Sequence, residues 1–421
     1  MDPIVSTWGA VGALALAIAL IIRKMPPAYA LIFAALAGGL AGGGGLAPTV
    51  NAMIEGTKGM MPPVLRILAS GVLAGALIKT GAAARLADAI VCGLGVRLAL
   101  PAVALATMVV CAIGVFIDIS VITVAPVALA VGVKAGIPAP ALLLAMIGGG
   151  KAGNIVSPNP NTIAAADAFG IDLTALMLKN AVPALAALAV TVMLAACLAR
   201  AGRKDSVPSA IVVQQECSGR AGPGLPAALA GPITVVALLA LRPFAGIAVD
   251  PLIALPAGGL VSLAATGNLC ETVPFVEFGL SKVAGVAILL IGTGTIAGII
   301  KASGLNADMI ALLKLCHLPA FALAPVSGVL MAGATASTTA GATVAAQTFS
   351  GALLTAGVPA VSAAAMIHAG ATVVDSLPHG SFFHATGGAV FMSIGERLRL
   401  IPYEALVGLS ATLVAVAQYM M

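Results

Sequence analysis

Four short polar stretches interrupt the apolar segments of this 421-residue sequence, and they contain most of its candidate chemical groups. The first covers residues 148–162, where four glycines and two prolines predict an interrupted helix. An interruption frees backbone N–H groups, and a new half-helix near Thr162 would direct its positive dipole end towards a carboxylate. The alternative is a solvated loop between two helices. The side chains expected to bind an anion here are Lys151, Asn154, Ser157, Asn159, Asn161 and Thr162.

The second polar stretch covers residues 374–381 and holds ionisable side chains within an apolar block. A buried carboxylate is costly in lipid, so Asp375 is a candidate carrier of a coupling ion, as is His379, which titrates near neutral pH. Ser376 and His379 are also candidate substrate ligands. The alternative for Asp375 is a structural cap on a broken helix. His379 and His384 have no Cys or Glu beside them, so we predict no metal site.

The other two stretches have the pattern of hairpin tips, and they differ in chemistry. Residues 114–120 place one carboxylate, Asp118, among apolar neighbours, which makes it a third candidate for ion coupling. Residues 333–341 are neutral and rich in hydroxyls, and close packing of helices through small residues is their alternative role. Lys151 could balance a bound carboxylate or pair with Asp118. The candidate ligands of the second tip are Thr335, Ser337, Thr338 and Thr339.

The amino-acid composition indicates the environment that surrounds these groups. The sequence is 61% hydrophobic and 8% charged, with a mean hydropathy of +1.14, which excludes a soluble globular domain. Its net charge of +5 is scattered between apolar segments, so no nucleic-acid-binding face is expected. The six cysteines form no CxxC pair. We therefore predict a multi-pass protein of the bacterial inner membrane, surrounded by lipid and without a cofactor.

The apolar segments are long enough for about a dozen crossing or re-entrant elements. Residues 98–135 and 319–356 each fit a hairpin that enters and leaves on one face. With the amino terminus outside, this arrangement puts thirteen of the 20 Lys and Arg residues on the inner face and six on the outer face. Lys79 and Lys282 fall on the inner face, Arg66 falls on the outer face, and Lys151 stays within the membrane.

The two halves of the sequence repeat each other. Residues 135–139 match residues 356–360, and Pro158 matches Pro378 within helices that follow. The predicted topology runs matched segments in opposite directions. We therefore predict an all-α polytopic membrane protein with two inverted-topology repeats, each with a re-entrant hairpin and a broken transmembrane helix. The predicted parts are a first repeat at 1–199, a cytoplasmic linker at 200–224 and a second repeat at 225–421.

Several of these motifs resemble the gluconate permease (GntP) family over most of the chain. They are Phe116-Ile117-Asp118-Ile119 and residues 157–170 in the first half, with residues 334–341 and Asp375-Ser376 in the second. The resemblance implies an ion-transporter-superfamily fold, a homodimer, elevator-type alternating access, and proton-linked uptake of gluconate or related hydroxy acids.

This chain departs from the family pattern at the broken helices. The family commonly has His and Gly where Asn159 and Asn161 stand, and a His before Asp375. A smaller hydroxy- or dicarboxylate is therefore as good a candidate as gluconate. Neutral oxygens can also hold sodium, so sodium coupling stays open. A channel or a membrane enzyme fits less well, because the halves are inverted and no nucleophile–base pair is evident.

Overall fold

The computed structural model describes residues 4–201, 222–245, 247–305, 307–308, 311, 319–378 and 380–421. Within these residues the chain consists of helices joined by turns and loops, and its β-structure is one isolated bridge between Val5 and Ser303. The helices of the first half are α1 (Thr7–Ile22), α2 (Pro27–Ala41), α3 (Leu46–Lys58), α4 (Met61–Lys79), α5 (Ala82–Leu94), α6 (Ala99–Ala112), α7 (Ile117–Ala135), α8 (Ala139–Ile155), α9 (Pro160–Ala168), α10 (Leu173–Lys179) and α11 (Ala181–Ala201).

The second half follows the same order, with a continuous α14 in place of the pair α3 and α4. Its described helices are α12 (Leu225–Ala245), α13 (Pro251–Ala265), α14 (Thr272–Lys301), α15 (Leu323–Thr335), α16 (Thr338–Thr355), α17 (Ala360–Gly370), α18 (Ser381–Ala389), α19 (Ile394–Leu398) and α20 (Ile401–Met420).

The helix contacts are reciprocal between the halves. Helix α2 packs on α14, while its counterpart α13 packs on α4. The hairpin α6–α7 packs on the broken helix α8–α9, and α15–α16 packs on α17–α18. Each hairpin also contacts the broken helix of the other repeat, since α16 contacts α9 and α7 contacts α18. The predicted fold class is confirmed: two inverted-topology repeats, each with a hairpin and a broken helix.

Six elements in the described part of the chain are long and apolar enough to cross a membrane. A bent pair, Ala82–Leu94 with Val96–Ala112, adds a seventh if it is one span broken by 105°. The six are Met61–Lys79, Ile117–Ala135, Ala139–Phe169, Ala181–Ala201, Leu269–Lys301 and Ile394–Met420.

The first interruption is shorter than the sequence predicts. The glycines at 148–153 were expected to break the helix, but α8 continues to Ile155 and only residues 156–159 separate it from α9. These glycines instead allow close approach: a Cβ on Gly149 would overlap the carbonyl oxygen of Ala104 in α6. In an apolar solvent a helix keeps its backbone hydrogen bonds, so packing overrides the low helix propensity of glycine.

The predicted linker falls mostly outside the described residues, which stop at 201 and resume at 222. The repeat boundaries at 199 and 225 therefore stay predictions. The structure begins the second repeat's first helix at Leu225.

The crossing of α4 and α14 is built on glycine. Gly71 and Gly75 on α4 face Gly279 on α14 so closely that a Cβ on Gly279 would overlap the carbonyl oxygen of Gly71 and lie 3.0 Å from the Cα of Gly75. Small residues at such a crossing let dispersion contacts form between backbones. This contact joins the two repeats near the cavity described below.

We predict that Gly279→Ala destabilises the protein by about 1–3 kcal/mol, the usual cost of overpacking. Alanine normally stabilises a helix interior relative to glycine, so the sign of the effect is diagnostic. The matched control is Gly12→Ala, because no atom lies within 4 Å of a Cβ placed there on α1. Thermal unfolding in detergent is the measurement. Equal midpoints for the two variants would contradict the packing account.

Candidate functional site

A cavity of about 730 Å³ receives both hairpin tips and both helix breaks. Its wall also includes the start of α2, at Pro26 to Tyr29, and one face of α14. A volume of this size accommodates a small organic molecule. The predicted site residues that line it are Asp118, Asn154, Asn161, Thr335, Ser337, Thr338, Thr339 and Asp375.

The first tip turns at residues 113–116, so Asp118 lies in the first turn of α7. Gly114 makes the turn with a φ of +107°, which a residue with a side chain rarely adopts. The amino-terminal end of a helix favours a carboxylate, and Asp118 is half-buried at the cavity wall. Lys282 lines the same cavity as Asp118.

The second tip is held against the second break by direct contacts. Ala336 turns the chain with a φ of +46°, and Ser337 caps α16 by accepting a hydrogen bond from the backbone N–H of Ala340 (3.3 Å). Thr338 Oγ1 donates to Asp375 Oδ2 (2.6 Å). A Cβ on Gly380 would lie 2.5 Å from the Ala336 carbonyl oxygen, so the tip and the break fit only without a side chain at that position.

The first break is stabilised by Asn159, which caps α9. Its Oδ1 accepts from the backbone N–H groups of Asn161 (3.0 Å) and Thr162 (3.1 Å) and from Thr162 Oγ1 (3.2 Å). Its Nδ2 donates to the Asn154 carbonyl oxygen (2.9 Å). The expected anion site at this helix end is therefore filled by Asn159 itself. Asn159 and Thr162 support the break from behind and do not line the cavity.

Other polar atoms of the first break have unused hydrogen-bonding capacity. Asn161 Nδ2 donates to Asn154 Oδ1 (3.0 Å), but Asn161 Oδ1 and Asn154 Nδ2 are buried without a partner. The Oγ of Ser157 is also buried and unpartnered, although Ser157 is not in the cavity wall. An unpaired buried polar group is costly, so Asn154 and Asn161 offer one donor and one acceptor to a ligand.

Lys151 and Asp375 form a buried ion pair across the two halves. Their Nζ and Oδ1 atoms are 2.7 Å apart, and the side chains are 1% and 2% exposed. Lys151 also donates to the carbonyl oxygens of Thr372 (2.6 Å) and Glu404 (3.3 Å), while Ser376 Oγ donates to Asp375 Oδ1 (3.0 Å). In this structure Lys151 therefore pairs with Asp375 and not with Asp118, and its three donors all have partners. Binding of a substrate carboxylate by Lys151 stays a prediction.

Sequence reasoning missed Lys282, which lies in the cavity wall on α14. Lys282 stands between two apolar blocks, where a basic residue ordinarily indicates which face of the membrane a loop is on. No local sequence pattern therefore indicated that it lines a site. Ser376 supports Asp375 and is not in the wall. His379 lies outside the described residues. His384 is exposed, and its Nε2 lies 2.8 Å from the Pro378 carbonyl oxygen.

A second, smaller pocket of about 160 Å³ lies at the start of α13 and is crossed by Arg66. The Arg66 guanidinium binds Asp250 in a bidentate contact (Nε–Oδ1 3.1 Å, Nη2–Oδ2 2.7 Å) and also binds Asp167 on α9. The hydrogen bonds from Arg66 lower the pKa of Asp250, so this carboxylate keeps its charge at neutral pH and loses it only as the pH falls through that lowered value.

The two pockets lie at equivalent places in the two repeats. The large cavity borders the start of α2, α14 and the beginning of α18, and the small pocket borders the start of α13, α4 and α9. These elements are counterparts by their order in the chain. One of the two equivalent openings is wide, and the other is bridged by an ion network.

The comparisons with known proteins agree with this architecture. Residues 4–256 match the family described as GntP family permease. An "Uncharacterized transporter" of Haemophilus influenzae is 52% identical over 411 residues, which cover 98% of this chain and 97% of the relative. The solved structure of the Alcanivorax borkumensis YdaH transporter superposes with a TM-score of 0.69 over 97% of this chain and 98% of its own, at 15% identity.

These findings define a multi-pass membrane transporter of small molecules, and they exclude the alternative of a membrane enzyme. The chain belongs to the GntP permease family. The likeness to YdaH, at 15% identity, supports the fold alone.

The Lys151–Asp375 pair generates a stability prediction. Lys151→Met and Asp375→Asn should each lower the free energy of unfolding by about 3–5 kcal/mol, because each leaves one charge buried without its partner. The double variant should cost clearly less than the sum of the single variants. Thermal unfolding of the purified proteins measures this cycle, with Lys58→Met in the exposed Lys58–Glu55 pair as a near-neutral control. Strictly additive costs would contradict direct pairing.

Proposed function

We propose that this protein is a secondary active transporter for a small organic anion, coupled to a proton and working by elevator-type alternating access. The observation that carries the proposal is the convergence of two hairpin tips and two helix breaks on one cavity. Neutral donors dominate the polar part of its wall, together with one accessible lysine. Such a site suits a carboxylate with several hydroxyls, because each hydroxyl needs both donors and acceptors.

The substrate class that fits best is a gluconate-like hydroxy acid or a smaller hydroxy- or dicarboxylate. Ser337, Thr339, Asn154 and Asn161 line the cavity, and their hydroxyls and amides are the ligands that we propose. Amides at positions 159 and 161 replace the His and Gly common in the family. We propose that Asn161, with its unpartnered oxygen, accepts a hydrogen bond from a substrate hydroxyl.

The proton carrier that we propose is Asp118. It is an acidic group in the cavity wall, and no described Lys, Arg or His nitrogen lies within ion-pair distance of its carboxylate. Asp375, by contrast, is held by Lys151, Thr338 and Ser376, which suits a carboxylate that positions the second break. His379 stays a third candidate for the proton and a candidate ligand.

Sodium is the second candidate for the coupling ion. The observation that favours it is the group of buried, unpartnered oxygens near the first break, Ser157 Oγ and Asn161 Oδ1. Neutral oxygens and carbonyls at a broken helix can coordinate this ion.

The alternating-access proposal rests on the two equivalent openings. The charge-based topology assigns Lys282 to the inner face and Arg66 to the outer face, so we take the wide cavity as open inward and the bridged pocket as the closed outer opening. In our proposal the hairpins and broken helices move against α4, α13 and α14, within a homodimer in the bacterial inner membrane. The repeats at 1–199 and 225–421 and the linker at 200–224 are part of the same proposal.

Transport in proteoliposomes tests the function. We expect saturable uptake and counterflow of at least one anion from a panel of gluconate and smaller hydroxy- and dicarboxylates. An imposed proton gradient should drive accumulation, and a sodium gradient without it should not. Flux that does not saturate and shows no counterflow would indicate a channel and would contradict the proposal.

Substitution of Asp118 tests its assignment as the proton carrier. Asp118→Asn should still catalyse counterflow but should lose stimulation by the pH gradient, because an amide cannot carry the proton. The matched control is Asp172→Asn, a carboxylate before α10 that lines the smaller pocket and not the large cavity. If Asp118→Asn and Asp375→Asn both kept their full dependence on the pH gradient, proton coupling through these carboxylates would be ruled out.

The Arg66 bridge gives a test of alternating access. Arg66→Gln should favour opening of the outer side about fivefold, because the bidentate network contributes on the order of 1 kcal/mol to the closed arrangement. We would follow labelling of Thr174→Cys, in the small pocket, by an impermeant maleimide added outside to a cysteine-free background. Lys58→Gln, which removes a cation of the α3 surface, is the control. An unchanged labelling rate in Arg66→Gln would argue against the bridge as a closing contact.

A further inference from the structure

Among the described residues, three charged side chains line the large cavity: Asp118, Asp375 and Lys282. Asp375 is already balanced by Lys151 at 2.7 Å, and that pair is almost fully buried. The remaining charges that a diffusing anion would meet are therefore Asp118 and Lys282. They have opposite sign and lie on different elements, the hairpin helix α7 and the helix α14.

Lys282 presents its ammonium group to the large cavity. Its side chain is exposed to the cavity, and no described carboxylate lies within ion-pair distance of its Nζ. Its ammonium group lies 5.0 Å from the centre of the Phe278 ring, one turn earlier on α14. A cation–π contact of this kind orients the ammonium group without neutralising its charge.

We infer that Lys282 sets the charge selectivity of the cavity, by binding the carboxylate of an entering anion and by offsetting the repulsion from Asp118. This inference rests on the proposed function and deepens it, because it assigns the cationic partner of the substrate to Lys282. Lys151, the expected partner, has no free donor and does not reach the cavity. Lys282 is the only Lys or Arg in the part of the wall that the structure describes.

The chain provides a matched control. Lys79 also lies over the Phe278 ring, at 4.4 Å from its centre, but it is on α4 and does not line the cavity. Lys79→Gln thus removes the same charge from the same aromatic contact. Lys282→Arg keeps the charge at the cavity wall.

The first experiment measures the electrostatic potential directly, without transport. In a cysteine-free background, Ser381→Cys supplies one thiol in the cavity wall, at the start of α18. Purified protein in nanodiscs is treated with an anionic sulfonatoethyl or a cationic trimethylammonioethyl methanethiosulfonate. Lys282→Gln should lower the ratio of anionic to cationic labelling rates about fivefold, as expected for one unit charge acting on both reagents. Lys282→Arg should leave the ratio unchanged, and Lys79→Gln should lower it clearly less than Lys282→Gln does, because Lys79 does not line the cavity.

The second experiment measures the consequence for transport, with labelled gluconate and then the other panel anions as substrates. Lys282→Gln should raise KM about tenfold with little change in kcat, since it removes a contact made as the anion enters. An unchanged labelling ratio in Lys282→Gln, or an equal fall in Lys79→Gln, would overturn the inference. If wild type carries no panel anion while the ratio still responds to Lys282, the proposed function fails and the assignment of the cavity's charge stands.

Discussion

The buried ion pair between Lys151 and Asp375 is the interaction on which the site depends. The interior of the protein is apolar, and in such surroundings a lone charge is far more costly than a paired one. Lys151 therefore holds Asp375 in place, and Asp375 accepts a hydrogen bond from Thr338 of the second hairpin tip. One contact thus joins α8 of the first repeat, the break of the second repeat and the tip that borders the cavity. The site is held by a charge pair behind the cavity, and the cavity wall itself carries hydroxyls, amides and the two opposite charges of Asp118 and Lys282.

The two repeats contribute unequally to this arrangement. The first break is closed by its own amides, with Asn159 capping α9, whereas the second break needs a cation from the other half. The first tip presents a carboxylate and the second presents hydroxyls. The pseudo-equivalent openings differ as well, since one is a wide cavity and the other is crossed by Arg66. Symmetry provides two related openings, and the chemistry of individual residues decides which one is open.

Much of the site could be predicted because polar residues are easily recognised within apolar membrane segments. Asp118, Asn161 and Asp375 stand out as polar groups in apolar sequence, and the cavity brings them together. The predicted extent of the first break was wrong, because the low helix propensity of glycine is outweighed there by packing of α8 against α6. The partner of Lys151 was missed because pairing between repeats depends on the superposition of two inverted halves. Lys282 was missed because periodicity does not reveal which inter-helix cavity a single lysine faces.

The central claim is that residues from both repeats bind one substrate in one cavity. Protection of single cysteines by substrate tests it most directly, with Ile119→Cys on the first hairpin and Thr339→Cys on the second, both in the cavity wall. Gly388→Cys, which is on α18 outside that wall, serves as the control. The account predicts that a saturating carried anion slows labelling at both wall positions and leaves the control unchanged. Protection at only one of the two positions, or at neither, while transport persists would contradict it.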